Sequence, residues 1–282
     1  MKENDSRDSI DTQIVIIYSL VDDILKAHHH YENPQCFMSD AEVCTTAIVA
    51  MLYFGGNFEH ARKLLCASYY IPSMLSKSRF NRRLHRLRPI FNELFYFLSQ
   101  IWKDLNIDSI YIIDSFPVPV CENIRIPRAK IYKDEVFRGY HASKRRYFYG
   151  IKVHLLVTQD GEPVEFFFTP GAVNDTKTLE NYVFDLPKGS TIYADKAYNS
   201  YEIEDLLKEV EEITLQPIRK KNTKRPLKPW EEFVQKLHRK MIETTNSLIT
   251  KLFPKKIHAV TPKGFEMKIF LFILANSFQR AI

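Results

Sequence analysis

The chain has 282 residues, 45% of them hydrophobic and 26% charged, with a formal net charge of +6 and a pI near 8.9. That composition excludes a disordered or fibrous chain, and the modest positive charge leans toward a polyanionic partner. Four scattered cysteines (Cys36, Cys44, Cys66, Cys121) form no C-x-x-C pair and have no His at zinc-finger spacing, so buried thiols are expected rather than disulfides or a metal site. The polar, acidic start MKENDSRDSI is unlike a signal peptide, and the apolar run IFLFILA is far shorter than the roughly 20 residues of a membrane span. A cytoplasmic protein with no membrane partner is the expectation.

Ile10, Ile14, Ile17, Val21 and Ile24 recur at helical spacing, so an amphipathic helix opens the chain. Three adjacent histidines after it (28–30) point in three directions, which suits a solvated helix end better than a metal site. SDAE at 39–42 is a capping box, with Ser39 at the N-cap and Glu42 three residues on, and FGG at 54–56 should stop that helix. A third helix is expected from Asn57. In SKSRFNRRLHRLRP, 76–89, an apolar stripe of Phe80, Leu84, Leu87 and Phe91 lies beside a basic one of Arg79, Arg82, Arg83 and Arg86, with no acid to neutralise it. Such a bias points to nucleic acid. Residues 1–105 therefore read as an all-helical domain that binds DNA or mediates dimerisation.

From residue 109 strands take over. IYIID runs into Asp114, and a hairpin is expected over 147–171 around the Asp160-Gly161 turn. A short helix capped by Asp175, a strand TIYAD ending on Asp195, a helix near 200–209, a strand at 212–218 and two long helices, 230–252 and 265–280, complete the chain. A hairpin followed by alternating helices and strands implies an α/β fold with a mixed sheet flanked by helices, filling 106–282.

The two strand-end aspartates carry the chemistry. Ligands bind beyond the carboxyl ends of strands in such sheets. On neighbouring parallel strands about 4.8 Å apart, two carboxylates repel unless a cation compensates them. Hard divalent ions with oxygen ligands fit that demand, while capping of a turn is the simpler role for either aspartate alone. A third ligand should come from a helix. In 235–253 the apolar face is read as Leu237, Met241, Leu248 and Leu252, leaving Glu243 opposite with Arg239, Asn246 and Thr250, although such a stripe is also an ordinary solvated face.

Asp114 after YIID, Asp195 in YADKAY and the Arg239-x-x-x-Glu243 spacing in RKMIET resemble the Asp-Asp-Glu triad of bacterial insertion-sequence transposases. MSDAEV, FGGNFEHA and SRFNRRLHRL resemble in particular the insertion sequence nine-eighty-two family, from about residue 37 onward, and the order of the triad motifs with the intervening GYHASKRRYFYGIKVHLLV and GAVNDTKTLE makes the resemblance specific. Related transposases often carry a Tyr three residues before the Arg and a Lys seven after the Glu. Here those positions hold Lys236 and Thr250, with Lys251 one step later. The resemblance implies an RNase H-like catalytic domain with Asp114, Asp195 and Glu243 holding two Mg²⁺ or Mn²⁺ ions. It also implies cleavage of double-stranded DNA at terminal inverted repeats, joining of the freed 3′-hydroxyl to target DNA, and a homodimer that pairs two ends. An RNase H-like nuclease that never joins, and a domesticated DNA-binding protein without catalysis, are the alternatives.

The candidate DNA contacts lie in three basic segments and on the last catalytic helix: Arg79, Arg82, Arg83 and Arg86; Lys144, Arg145, Arg146 and Lys152; Arg219, Lys220 and Lys221; Arg239 and Lys251. Tyr140, Tyr147, Phe148 and Tyr149 interleave the second segment and suit either unpaired bases near a cut or the core of a strand. Lys152 and His154, on one strand face, are read as DNA contacts or as merely exposed.

Overall fold

A computed structural model describes residues 2–141, 144–180, 182–219 and 223–282, with side chains from Ile10 onward. The chain divides into two compact units, 1–98 with 249–257 and 263–282, and 99–248 with 258–262. The last helix thus groups with the N-terminal helices, where the sequence placed it with the sheet. Its composition explains this. Helix α9 (Pro262–Ala281) is buried on every side from Ile269 to Phe278, a largely apolar run, with Phe270 edge-on to Phe95 within the same unit.

The first unit is helical. Helix α1 (Lys2–Ala27) buries Ile14, Ile17, Val21 and Ile24. Helix α2 (Asp40–Phe54) starts at the capping box, where Glu42 N donates to Ser39 Oγ at 3.1 Å and Ser39 N to Glu42 Oε2 at 2.6 Å. It ends at Gly55 in the left-handed region, φ 54°. Asn57 caps α3 (Phe58–Ala67), bent by 111° from α2. The stripe Phe80, Leu84, Leu87 and Phe91 is buried as expected, but it spans two helices, α4 (Lys77–Arg86) and α5 (Arg88–Leu105). Pro89 explains the break, because its ring and missing N–H cannot sit inside a continuing helix but fit the first turn of a new one. All four cysteines are free. Only Cys44 is buried and Cys66 is exposed, contrary to four buried thiols.

The second unit is built on a six-stranded mixed sheet: β1 (Ile110–Cys121), β2 (Arg138–His141), β3 (Arg146–Thr158), β4 (Pro163–Pro170), β5 (Thr191–Ala194) and β6 (Thr214–Pro217). The order is β2-β3-β1-β5-β6, with β4 also on β3. Strands β1, β3 and β4 pair antiparallel, while β5 is parallel to both β1 and β6. Helices α6 (Asp175–Leu179), α7 (Tyr201–Val210) and α8 (Pro229–Leu252) connect or follow the later strands. Tyr111, Ile113, Leu156, Val164, Ile192, Tyr198, Leu207 and Leu215 form the core beneath. The β3–β4 turn has Gly161 at φ 90°, the conformation that an Asp-Gly turn requires.

Strand β1 departs from expectation, since it does not stop at Asp114 but runs seven residues further, with Pro117 and Pro119 inside it. Its pairing explains how. Neighbour β5 ends at Ala194 beside Ile113, so beyond Asp114 the strand has β3 on one side only. Two prolines at i and i+2 then both turn their missing N–H to the open edge, where no ladder bond is lost. Among the described residues no single helix is long and apolar enough to cross a membrane.

Candidate active site

The last paired residues of the parallel ladder are Ile113 and Ala194, so Asp114 and Asp195 follow side by side at one register on adjacent strands. Beyond this point the two chains diverge. Asp114 continues within β1, while Asp195 becomes the N-cap of a one-turn 3₁₀ helix, Lys196–Tyr198. Together with Arg239, Gln235 and Ile242 of α8 they line one cleft.

Helix α8 turns inward a different face from the apolar one expected from its sequence, and polar contacts help to hold it. Gln235 Nε2 donates to Gln216 O at 2.9 Å, Thr245 Oγ1 to Gly161 O at 3.0 Å, and His238 stacks on Tyr193 at 4.8 Å. Gln235, Ile242, Thr245 and Asn246 are buried, whereas Leu237 and Leu248 are exposed along with Trp230 and Phe233. This rotation places Asn246 at the site: its Nδ2 donates to Asp114 Oδ2 at 3.1 Å. Glu243 lies on the exposed side, where its Oε1 accepts from Arg239 Nε at 2.8 Å, and Arg239 Nη1 is 3.3 Å from Asp195 Oδ1. The guanidinium therefore bridges the second and third carboxylates. Among the described residues no three Asp, Glu, His or Cys side chains are grouped closely enough to hold a metal ion.

The electrostatics mark Asp114. Burial pushes its carboxyl up to about 7, the charges of Asp195 and Asp175 push the same way, and the Ser115 N–H and the Arg239 guanidinium oppose them. Among the described residues Asp195 Oδ1 is buried without a hydrogen bond, with the Arg239 guanidinium 3.3 Å away. A carboxylate pair held this way fits a cation.

Behind Asp114 lies a polar network that the sequence did not reveal. Asp175 is not the cap of α6. Asn174 is, accepting from Thr176 N at 3.1 Å, which leaves the Asp175 carboxylate free to turn inward. It accepts from Ser115 Oγ at 3.0 Å and from Lys152 Nζ at 2.7 Å, and Lys152 also donates to Val173 O. His154 is fully buried rather than exposed. It hydrogen-bonds Tyr198 at 2.8 Å and Thr169 at 2.9 Å and stacks on Phe167, and burial lowers its imidazole to about 4.

The candidate DNA contacts divide by exposure. Arg79, Arg82 and Arg86 on α4, Lys144, Arg145 and Arg146 at the β2–β3 turn, and Lys251 on α8 are exposed. Three others are neutralised inside the fold: Lys152 by Asp175, Arg219 by a bidentate pair with Glu204 at 2.6 and 2.8 Å, and Arg83 by Asp40 and Glu32 at 2.7 and 2.6 Å. Lys220 and Lys221 lie outside the described residues. Of the interleaved aromatics, Phe148 and Tyr149 are core while Tyr140 and Tyr147 are exposed.

The family model described as a transposase DDE domain matches residues 105–258. Among solved structures, the chain is similar to piggyBac transposase in a synaptic complex with hairpin DNA, at 13% identity and a TM-score of 0.44, over 93% of this chain and 71% of that one. No curated protein matches it.

Proposed function

The chain belongs to the transposase DDE domain family, and from that premise we propose that it cuts double-stranded DNA at the ends of a mobile element and joins the freed 3′-hydroxyl to target DNA. Asp114, Asp195 and Glu243 are its triad. The observation that carries this reading is the placement of Asp114 and Asp195 at one register of adjacent parallel strands, with α8 set across them. A meander of antiparallel strands followed by parallel strands joined through helices supports an RNase H-like architecture.

The donor set suits hard divalent ions such as Mg²⁺ or Mn²⁺, which take carboxylate oxygens, water and substrate phosphate. Bound between the carboxylates, two such ions would polarise the scissile phosphodiester and make an attacking water or 3′-hydroxyl more nucleophilic. The chain's own residues do the positioning. Asn246 and the Ser115 N–H orient Asp114, and Asp175 fixes Ser115 from behind. Arg239 neutralises Asp195 and Glu243 in the absence of other cations, and its guanidinium suits a DNA phosphate once released from them. Phosphoryl transfer asks for little beyond such positioning and charge stabilisation, so no covalent nucleophile is needed. The exposed arginines of α4 and the β2–β3 turn supply phosphate contacts. Pairing of two element ends calls for a homodimer.

The test is Mg²⁺- or Mn²⁺-dependent cleavage and joining of duplexes carrying the element's ends, comparing wild type with Asp114→Ala, Asp195→Ala and Glu243→Ala. Loss of both steps in variants that still bind DNA supports the triad. Cleavage without joining reduces the protein to a nuclease, and binding without chemistry to a DNA-binding relic.

A further inference from the structure

Past Asp114, β1 and β3 run on together beyond the end of β5, and β2 adds to the outer end of β3 through Arg138↔Tyr149, Gly139↔Phe148, Tyr140↔Tyr147 and His141↔Arg146. The root of this β2–β3 ribbon is built tightly. A Cβ on Gly139 would collide with Gly171 O and the Phe148 ring, and one on Gly150 with Val118 O, so glycine is what lets these backbones approach. The Tyr149 hydroxyl donates to Tyr132 O, with Asp134 O 3.2 Å away, and Asn123 Nδ2 donates to Tyr147 O at 3.0 Å. The ribbon's outer part has no core role. Tyr140 and Tyr147 are 52% and 56% exposed, their rings 5.1 Å apart on one face.

Cations surround this pair. The Arg138 guanidinium lies 5.6 Å from the centre of the Tyr147 ring, and Lys144, Arg145 and Arg146 stand exposed at the tip. The acids nearby are at the root, where Glu135 is 3.9 Å from Arg138. Burial and the charges of Lys144 and Arg146 lower the His141 imidazole, as a positive local field requires.

Register fixes how far this surface lies from the chemistry. Asp114 pairs with Leu155, and Tyr147 is eight positions earlier on the same strand (155 to 147). At about 3.3 Å per residue that is roughly 26 Å, or about eight base pairs of B-DNA at 3.4 Å each. The tyrosines are therefore too far from the carboxylates to stack on unpaired bases at the cut.

Resting on the transposase reading above, we infer that the β2–β3 ribbon is a DNA-gripping arm that lies in a groove of intact duplex about eight base pairs from the cut phosphodiester. A two-stranded ribbon fits the major groove. Exposed Lys and Arg at its tip and tyrosine hydroxyls on its face are donors suited to the flanking phosphates. The arm would lengthen the footprint beyond the cleft at the carboxylates.

The experiment uses the full chain and duplexes from the element's ends with 5-iododeoxyuridine placed at successive positions from a cut end. After irradiation, the crosslinked peptides are identified by mass spectrometry. Crosslinks to the peptides holding Tyr140 and Tyr147 are expected from positions about six to nine, with at least a tenfold loss in Arg145→Glu/Arg146→Glu. Ribbon crosslinks from the first two positions, or from none, overturn the inference. Metal-dependent cleavage of the same duplexes is scored separately. Cleavage without ribbon crosslinks sinks the arm alone, whereas ribbon crosslinks at the stated distance without cleavage sink the enzymatic reading and leave the arm standing.

Discussion

Asn246 of α8 donates through Nδ2 to Oδ2 of Asp114 on β1 at 3.1 Å, tying the helix to the strand at the site itself. Asn246 is buried, and Asp114 has few other donors around it. Replacing it by Leu removes the donor and leaves a poorly solvated carboxyl, a change that typically costs about 1–3 kcal/mol. Thermal or urea unfolding of Asn246→Leu with divalent ions chelated should show that loss, and it should be larger at pH 8, where Asp114 is ionised, than at pH 5. An equal loss at both pH values would separate Asn246 from the charge on Asp114.

Asp114 and His154 pull the pH dependence of stability in opposite directions. Asp114 is raised to about 7, so its contribution is fully present below the unfolded value near 3.8 and is lost as pH rises through 7. His154 is lowered to about 4, so its contribution is present above 6.5 and is lost as pH falls toward 4. Between pH 4 and 7 the two largely offset each other. In metal-free protein, Asp114→Asn should become relatively more stable at pH 8 by on the order of 1–2 kcal/mol, since relaxation takes up part of a full shift, and its stability should then fall more steeply toward acid than that of wild type. His154→Gln should show the reverse slope. Parallel curves for all three proteins would refute the assignment.

Lys152 and Asp175 form a largely buried ion pair behind the site. Removing one partner of such a pair leaves an uncompensated charge and costs roughly 3–5 kcal/mol, while replacing both by apolar groups is often near neutral. Lys152→Met and Asp175→Leu should each lower the melting temperature sharply, and the double variant should recover at least half of the loss. Additive losses in the double variant would mean that the two residues act independently.

These cases show which features could be read from the sequence. Asp114 and Asp195 stood out because each ends a run of apolar, β-rich residues, a local signal. The extension of β1 did not, since Pro117 and Pro119 read as a stop unless it is known that β5 leaves one edge open. Asn174 and Asp175 are both good caps, and only the fold decides which one caps and which turns inward. Helix α8 misled because its buried face carries Gln235, Thr245 and Asn246 while Trp230, Phe233 and Leu237 face out. Apolar periodicity locates a helix there but assigns the wrong face. The pairs Lys152–Asp175 and Asn246–Asp114 join distant parts of the chain and have no local signature.

The arginines of α4, alike in sequence, should separate in experiment. Arg79, Arg82 and Arg86 are exposed, whereas Arg83 folds inward to Asp40 and Glu32, with His30 on the other oxygen of Asp40 at 2.9 Å. Each exposed arginine that contacts a phosphate releases about one counterion, so its replacement by Ala should flatten the slope of log affinity against log salt by about 1. Arg83→Ala should leave that slope unchanged and instead destabilise the helical unit by roughly 2–4 kcal/mol, because Asp40 and Glu32 lose their countercharge in a largely buried setting. Affinity across a salt series and urea unfolding, run on all four variants, measure both effects. A slope change in Arg83→Ala with unaltered stability would place Arg83 on the DNA and reduce its pairing with Asp40 to an incidental contact.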